Sequence, residues 1–428
     1  MAYFPRWTLK PSGEIAPDER APWPQTIALG VQHVVAMFGA TVLAPLLMGF
    51  DANVAILMSG VGTLLFFVIV GGRVPSYLGS SFAFIGVVVA ATGYTGAGPN
   101  PGIGNALGGI IMCGVAVVVI GLVVMATGTR WIERLMPPLV TGAIVAVIGL
   151  NLAPVAVRSA TATPFDAWMA LITVLCVALI AVFGKGMLQR LPILVGLFAA
   201  YVIYGVATNV LGLAKPIDFA ALASAAWIGL PGIAAPNFRN LEAIALIAPV
   251  AIVLVAENLG HVKAVSAMTG RDLDRYLGRA FVGDGVATIV SGYAGGTGVT
   301  TYAENIGVMA VTKIYSTLMF VVAGVIAIVL GFSPKFGALI ATIPTAVLGG
   351  ASIVVFGLIA IAGARIWVQS RVDFSQNHNL IIAAITLVLG AGDFALSLGR
   401  FTLGGIGTAT FGAILLNLLL QPRRSHVG

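Results

Sequence analysis

Charge is what this chain has least of. Its 428 residues include only 22 Lys+Arg and 15 Asp+Glu, or 9% charged, where a soluble domain carries about a quarter. Lys, Arg, Asp and Glu are what normally face water, so a soluble globule of this size is excluded. With 59% apolar residues, disorder is excluded as well. Cysteine is nearly absent: Cys113 and Cys176 both lie in apolar runs, which rules out a disulfide framework. The four histidines are scattered, and no metal-ligand spacing, nucleophile elbow or phosphate loop accompanies them, which argues against a membrane enzyme. A pI near 9.6 without a Lys/Arg stripe interleaved with aromatics does not point to nucleic acid. Residues 1–25 are polar and precede a full-length apolar run, so a cleavable leader is not expected.

Long apolar stretches recur along the whole chain. A bilayer-crossing helix needs roughly 20 mostly apolar residues, and fourteen candidate segments are found at 26–49, 53–70, 78–92, 104–126, 137–155, 166–184, 191–210, 242–262, 280–296, 299–311, 315–332, 337–361, 378–396 and 402–421. This is the pattern of an all-α polytopic membrane protein. The long connection 211–241 is expected to lie on one membrane face, with short strands as one way to arrange it. If the segments alternate direction from an inside N-terminus, 17 of the 22 basic residues fall inside and 5 (Arg158, Lys215, Arg239, Lys335, Arg400) outside. That asymmetry predicts cytoplasmic termini.

Two segments resemble each other. Residues 142–150 (Gly-Ala-Ile-Val-Ala-Val-Ile-Gly-Leu) and 350–358 (Gly-Ala-Ser-Ile-Val-Val-Phe-Gly-Leu) agree at five of nine positions, at an offset of 208. They are the fifth and twelfth segments, the same place in two halves of seven. An odd number of crossings makes such a repeat inverted, and inverted repeats mark transporters with a midplane site.

Ionisable groups inside spans are expensive and are functional candidates. Glu257, Asp284 and Glu304 are the three acids that do not fall in tails or connections. Glu257 and His261, four apart, share one helix face. Gln32 and His33 sit inside the first span, and Asp284 reads as a supporting residue. The third and tenth segments begin with hydroxyl-rich, β-friendly stretches, Ser76–Phe82 and Gly298–Glu304. Extended chain at membrane depth must satisfy its backbone groups internally, so the two are expected to pair antiparallel. Each then enters a half-helix whose free N–H groups face the membrane centre. Such a site offers backbone donors and the carboxylates of Glu257 and Glu304, with Phe82 and Tyr302 able to cover ring faces. It suits a planar ligand with adjacent N–H and C=O groups.

At these residues the chain resembles the nucleobase–ascorbate transporter family. The pattern Glu304-Asn305-x-Gly307-x-x-x-x-Thr312-Lys313 matches that family's signature, and Gln32-His33 matches its Gln-His pair. Within the family, Gly39–Pro45, Ser76–Phe84 and Thr300–Ser316 are most similar to bacterial uracil and pyrimidine permeases. The resemblance implies fourteen segments in a seven-plus-seven inverted repeat, with segments three and ten part strand and part helix. It implies a core domain (26–126 and 242–332), a gate domain (127–241 and 333–421) and tails at 1–25 and 422–428. It implies uracil import across the bacterial inner membrane by proton symport, with elevator-type movement of core against gate. Thymine and xanthine are alternative substrates, and protons are the coupling ion without any cofactor. Carried over by position, Glu257, Glu304 and the N–H groups of Phe82 and Ala303 contact the base, Tyr302 and Ala40 line the pocket, and His261 takes part in proton coupling. Gln32, His33, Asp284 and Asn305 are expected in support, and a homodimer through the gate domain is implied as well. Ala303 and Phe356 stand where a relative has Gly and Tyr, which narrows the pocket and removes a hydroxyl. The rival readings from the residues are an anion or sulfate carrier of the same broad fold and a gated channel.

Overall fold

The computed structural model describes residues 3–94, 98–185, 191–398 and 401–420. The chain opens with two short strands, β1 (Thr8–Leu9) and β2 (Glu19–Arg20), paired in parallel. Then follow α1 (Trp23–Met48), α2 (Ala52–Ile69), β3 (Leu78–Ser80), α3 (Phe84–Thr92), α4 (Ile103–Thr127), the short α5 (Arg130–Leu135), α6 (Pro138–Ala160), α7 (Pro164–Phe183) and α8 (Pro192–Gly205). The second half holds α9 (Ala220–Ser224), α10 (Leu241–Ile247), α11 (Val250–Thr269), α12 (Leu277–Tyr293), β4 (Val299–Thr301), α13 (Ala303–Thr312), α14 (Thr317–Gly331) and α15 (Pro334–Ala341). It ends with α16 (Thr345–Gln369), α17 (Asn377–Ala391), the hairpin strands β5 (Leu396–Leu398) and β6 (Phe401–Leu403), and α18 (Gly405–Leu420).

Among the described residues, eight helices are long and apolar enough to cross a membrane, or nine if the α14–α15 pair, bent by 81°, counts as one. The remaining expected segments are shorter. The third and tenth divide between strand and helix, and α17 and α18 are apolar helices of 15 and 16 residues. Segment boundaries also shift for local reasons. Pro249 separates α10 from α11 inside what reads as one apolar run. Ser333 caps α15 through Phe336 N–H, with Pro334 at the first helical position, so the break expected between 332 and 337 is met, and the chain breaks again before α16, inside the expected 337–361 segment. The 211–241 connection contains no strand among its described residues; it holds α9 and extended chain.

Two groups of helices pack separately. In the first, α2 lies against α12 and α14, α4 against α12, and α1 against α14; in the second, α6 lies against α16 and α17, α7 against α8 and α16, and α17 against α18. Helix α11 touches both α4 and α6. Lipid offers little hydrophobic drive between helices, so close backbone approach matters. At Gly149 of α6 a Cβ would sit on the carbonyl oxygen of Phe356 in α16, so only glycine permits this crossing. Buried hydroxyls turn back onto the preceding helical turn, as in Thr63 Oγ1 to the Ser59 carbonyl at 2.7 Å and Ser352 Oγ to the Leu348 carbonyl at 2.7 Å.

Residues 3–22, expected as a polar tail, form an ordered strap across one end of the first helix group. Tyr3 donates its hydroxyl to the Val68 and Ile69 carbonyls at the end of α2 (2.8 and 3.0 Å), while Phe4 and Trp7 stack on Phe67. Ile15, fully buried, bridges Ile314: its N–H donates to the Lys313 carbonyl at 3.1 Å and its carbonyl accepts from Tyr315 N–H at 2.8 Å. Arg271, beyond α11, donates to Asp18 at 2.5 Å. That guanidinium holds the Asp18 carboxyl below the usual Asp range. The strap escapes a hydropathy reading because its contacts are single aromatic and backbone groups.

Candidate functional site

The two strands that cross at mid-bundle create the site. β3 and β4 pair antiparallel with Leu78 opposite Thr301, Gly79 opposite Thr300 and Ser80 opposite Val299. The ladder extends through Ser81 N–H to the Gly298 carbonyl (2.9 Å) and Tyr302 N–H to the Tyr77 carbonyl (3.0 Å). Antiparallel strands send the chain in opposite directions, so α3 and α13 leave the pair pointing apart with both N-termini at the crossing. This is the arrangement expected from Ser76–Phe82 and Gly298–Glu304. A Cβ on Gly79 would lie 2.5 Å from Tyr302 Cζ, so glycine lets the Tyr302 ring cross the strand. The Tyr302 hydroxyl donates to the Ser80 carbonyl (2.8 Å) and accepts from Thr41 Oγ1 (3.2 Å).

A cavity of about 60 Å³ lies at this crossing. One probe-sized water site takes roughly 10–15 Å³, so the space suits a few waters or one small ring. Glu257 of α11, Glu304 of α13, Phe82, Tyr302 and Ala303 all line it, together with Ser80, Ser81 and Thr301. Ser81 Oγ lies 3.5 Å from Glu257 Oε2. The N–H groups of Phe82 and Ala303 have no acceptor among the described residues. The far wall is Val145 and Ile148 of α6 and Ile359 of α16. Phe82 meets Phe356 of α16 edge to face, centroids 5.9 Å apart.

The other candidates fall around this cavity. His261 lies behind β4, its Nδ1 2.9 Å from Thr301 Oγ1, and does not line the space. Asp284 of α12 accepts from Asn258 Nδ2 and, at 3.2 Å, from Thr300 Oγ1, which places it as a brace for β4. His33 and Asn305, both fully buried, meet directly: Asn305 Nδ2 lies 2.9 Å from His33 Nδ1 and donates to the His33 carbonyl at 3.0 Å. They join α1 to α13. Gln32 is adjacent, its Nε2 buried without a hydrogen-bond partner among the described residues. Ala40 lines a different space, a cavity of about 760 Å³ shared with Glu304, Ile193, Gly307, Val308 and Arg365. Sequence reasoning missed Ser81 and Thr301 as individual lining residues, and also the aliphatic wall. Val145 and Ile148 lie inside the repeated nonapeptide and Ile359 follows its second copy, but nothing in that repeat marks these three among their apolar neighbours.

A third cavity, of about 550 Å³, lies toward the other end, lined by Gly86, Val87 and Ala90 of α3, Glu242, Asn151 and Asp393. It corresponds to the second in register. Leu78 and Val299 begin β3 and β4, an offset of 299 − 78 = 221, and the same offset takes Gly86, Val87 and Ala90 to Gly307, Val308 and Val311. The two cavities also use the first two residues of a helix in each half, Pro192 and Ile193 of α8 and Gly405 and Ile406 of α18.

Apolar helices around a small cavity that holds two carboxyl side chains, with larger cavities toward either end, define a multi-pass membrane transporter. The chain belongs to a permease family: the family described as "Permease family" matches residues 24–399, and its members are transporters rather than enzymes. The putative pyrimidine permease RutG of Escherichia coli (strain K12) is 71% identical over 427 residues, covering 99% of this chain and 96% of that one. The uracil permease of Bacillus caldolyticus is 41% identical over 414 residues, 93% of each chain. Among solved structures, the transmembrane domain of the cyanobacterium bicarbonate transporter BicA matches with a TM-score of 0.62 at 17% identity, covering 92% of this chain and 97% of that one. The inward-facing murine anion transporter Slc26a9 matches at 0.69 and 11% identity, covering 93% and 68%. At such identities the likeness is one of fold.

Proposed function

We propose that this protein imports uracil, or a closely related pyrimidine, across the bacterial inner membrane by proton symport. The observation that carries this reading is the small cavity at the strand crossing, lined by the carboxyl side chains of Glu257 and Glu304 and by Phe82, Tyr302 and Ala303, where the N–H groups of Phe82 and Ala303 have no acceptor among the described residues. A pyrimidinedione presents adjacent N–H and C=O groups that match this set. Neutral Glu257 donates to a ring carbonyl, ionised Glu304 accepts from ring N–H, and Phe82 and Ala303 N–H groups donate to the remaining carbonyl. A proton on Glu257, or shared toward His261 through the β4 hydroxyls, lowers the charge that must cross the membrane with the site. Asp284 and the His33–Asn305 pair hold β4 and α13 in place.

The wider architecture follows from the same reading. The helices around β3 and β4 act as the core domain and the group around α6 and α16 as the gate, in fourteen segments with both termini cytoplasmic. The packing supports an inverted repeat: α4 on α12 corresponds to α2 on α14 when the halves are exchanged, and α7 on α16 corresponds to α17 on α6. The register of the two matched cavities supports it independently. The cavity beside Glu304 is then the cytoplasmic vestibule, and the one beside α3 the outer vestibule that replaces it when core slides against gate. A homodimer through the gate group fits this division.

The anion-transporter likeness of the fold favours one rival, a carrier of an inorganic anion. Glu257 and Glu304 both facing the cavity repel such a ligand. Labelled-uracil uptake in vesicles with an imposed pH gradient separates the readings. Saturable accumulation that collapses with an uncoupler supports symport, whereas a gated channel only equilibrates, and absence of uracil uptake together with uptake of labelled sulfate favours the anion carrier. Glu304→Ala is expected to abolish uracil binding; native affinity in that variant removes the site assignment.

A further inference from the structure

Every polar group on the cavity comes from one side. Ser80, Ser81, Glu257, Thr301, Tyr302 and Glu304 belong to β3, β4, α11 and α13 or adjoin them, whereas the opposite wall is Val145, Ile148 and Ile359, without a single polar side-chain atom. Val145 and Ile148 are three residues apart on α6 and so share a face. All three are β-branched and stiff at χ1, so the wall does not yield by rotating a side chain. It belongs to the helix group that packs separately.

A pyrimidinedione ring is asymmetric in the same way. N1–H, C2=O, N3–H and C4=O form a continuous polar run, and C5–C6 is its one edge that needs no hydrogen bond. Burying any of the polar positions against the aliphatic wall leaves it unpaired, at a penalty that decides the pose. Resting on the pyrimidine reading above, we propose that Val145, Ile148 and Ile359 are specificity-determining residues that gauge substituents at C5 and C6. The methyl group of thymine sits on C5, and xanthine has the same polar run with a second ring fused at C5–C6. These three side chains therefore set the order uracil, then thymine, then xanthine, at a cavity of only about 60 Å³.

The test is competition for labelled-uracil uptake by thymine and xanthine in the full-length protein and in Val145→Ala, Ile148→Ala and Ile359→Ala. One methyl group in an apolar pocket changes selectivity by roughly 10–200-fold. At least one truncation is therefore expected to raise thymine affinity relative to uracil about tenfold or more, with uracil still bound. Val145→Ile, which adds a methylene, tests the opposite direction: it should weaken thymine by a larger factor than uracil, and it covers the case of a truncation that does not fold. An unchanged thymine-to-uracil ratio in both the truncated and the enlarged walls overturns the proposal while leaving the pyrimidine site standing. Failure of the unaltered protein to bind uracil overturns the pyrimidine reading itself.

Discussion

Gly79 shows how much rests on single atoms at the strand crossing. A Cβ there would lie 2.5 Å from Tyr302 Cζ and 2.6 Å from Thr41 Oγ1, both parts of a buried hydrogen-bonded set. Gly79→Ala forces the tyrosine away from the Ser80 carbonyl, and overpacking of this kind costs about 1–3 kcal/mol. The expected outcome is a lower Tm in detergent together with weaker uracil binding, because Tyr302 also lines the cavity. A native Tm with native binding would show that the ring does not need this path. Glu257, Glu304 and the His33–Asn305 pair were legible as residues because ionisable and amide groups stand out in apolar spans. Ala40 was legible only as a pocket residue in general, since nothing in its own chemistry says which cavity it lines.

Among the elements, the N-terminal strap departs most from its sequence. Ile15 is fully buried beneath Ile314 and Tyr315, directly after the half-helix that carries Glu304. Ile15→Asp places a carboxylate at a fully buried position, and should make residues 3–22 more susceptible to protease cleavage than in the native protein. The Asp18–Arg271 pair adds an acid-sensitive contact. Asp18 is held below its ordinary value by Arg271, so the pair stabilises the strap above the unfolded Asp pKa of ~4 and is lost as pH falls through the lower folded value. With both side chains about 40% exposed, the contribution is small, at most ~1 kcal/mol. Protection factors at residues 15, 16 and 18 should fall below pH ~4 in the native protein, and Arg271→Ala should show the lower protection already at neutral pH. Equal exchange in the two proteins at neutral pH would remove the pair's role.

For the whole molecule, the matched cavities make the sharpest demand. In a background with Cys176→Ser, which leaves only the buried Cys113, Gly307→Cys should react with an impermeant thiol reagent from the cytoplasmic side. Ala90→Cys should react from the outside, and uracil should alter the two rates in opposite senses. Labelling of both positions from one side would contradict the alternating arrangement. The pairing of helices in two groups, and the correspondence of Gly86, Val87 and Ala90 with Gly307, Val308 and Val311, appear only when distant segments are brought together. In sequence, only the nonapeptides at 142–150 and 350–358 hinted at them.

Composition by itself determined that the chain lives in a membrane, because too few charged side chains exist to face water. Local chemistry determined that the third and tenth segments break their helices, because hydroxyl-rich extended chain inside a bilayer must find a backbone partner. The permease signature at Glu304–Lys313 was equally readable. Tertiary structure alone decided which side chains close the cavity opposite the acids, since Val145, Ile148 and Ile359 look like any other apolar span residue until α6 and α16 cross at Gly149. It also decided that the polar residues 3–22 are a strap, because a hydropathy pattern has no means of recording one buried isoleucine, two stacked aromatics and a backbone bridge between Ile15 and Ile314.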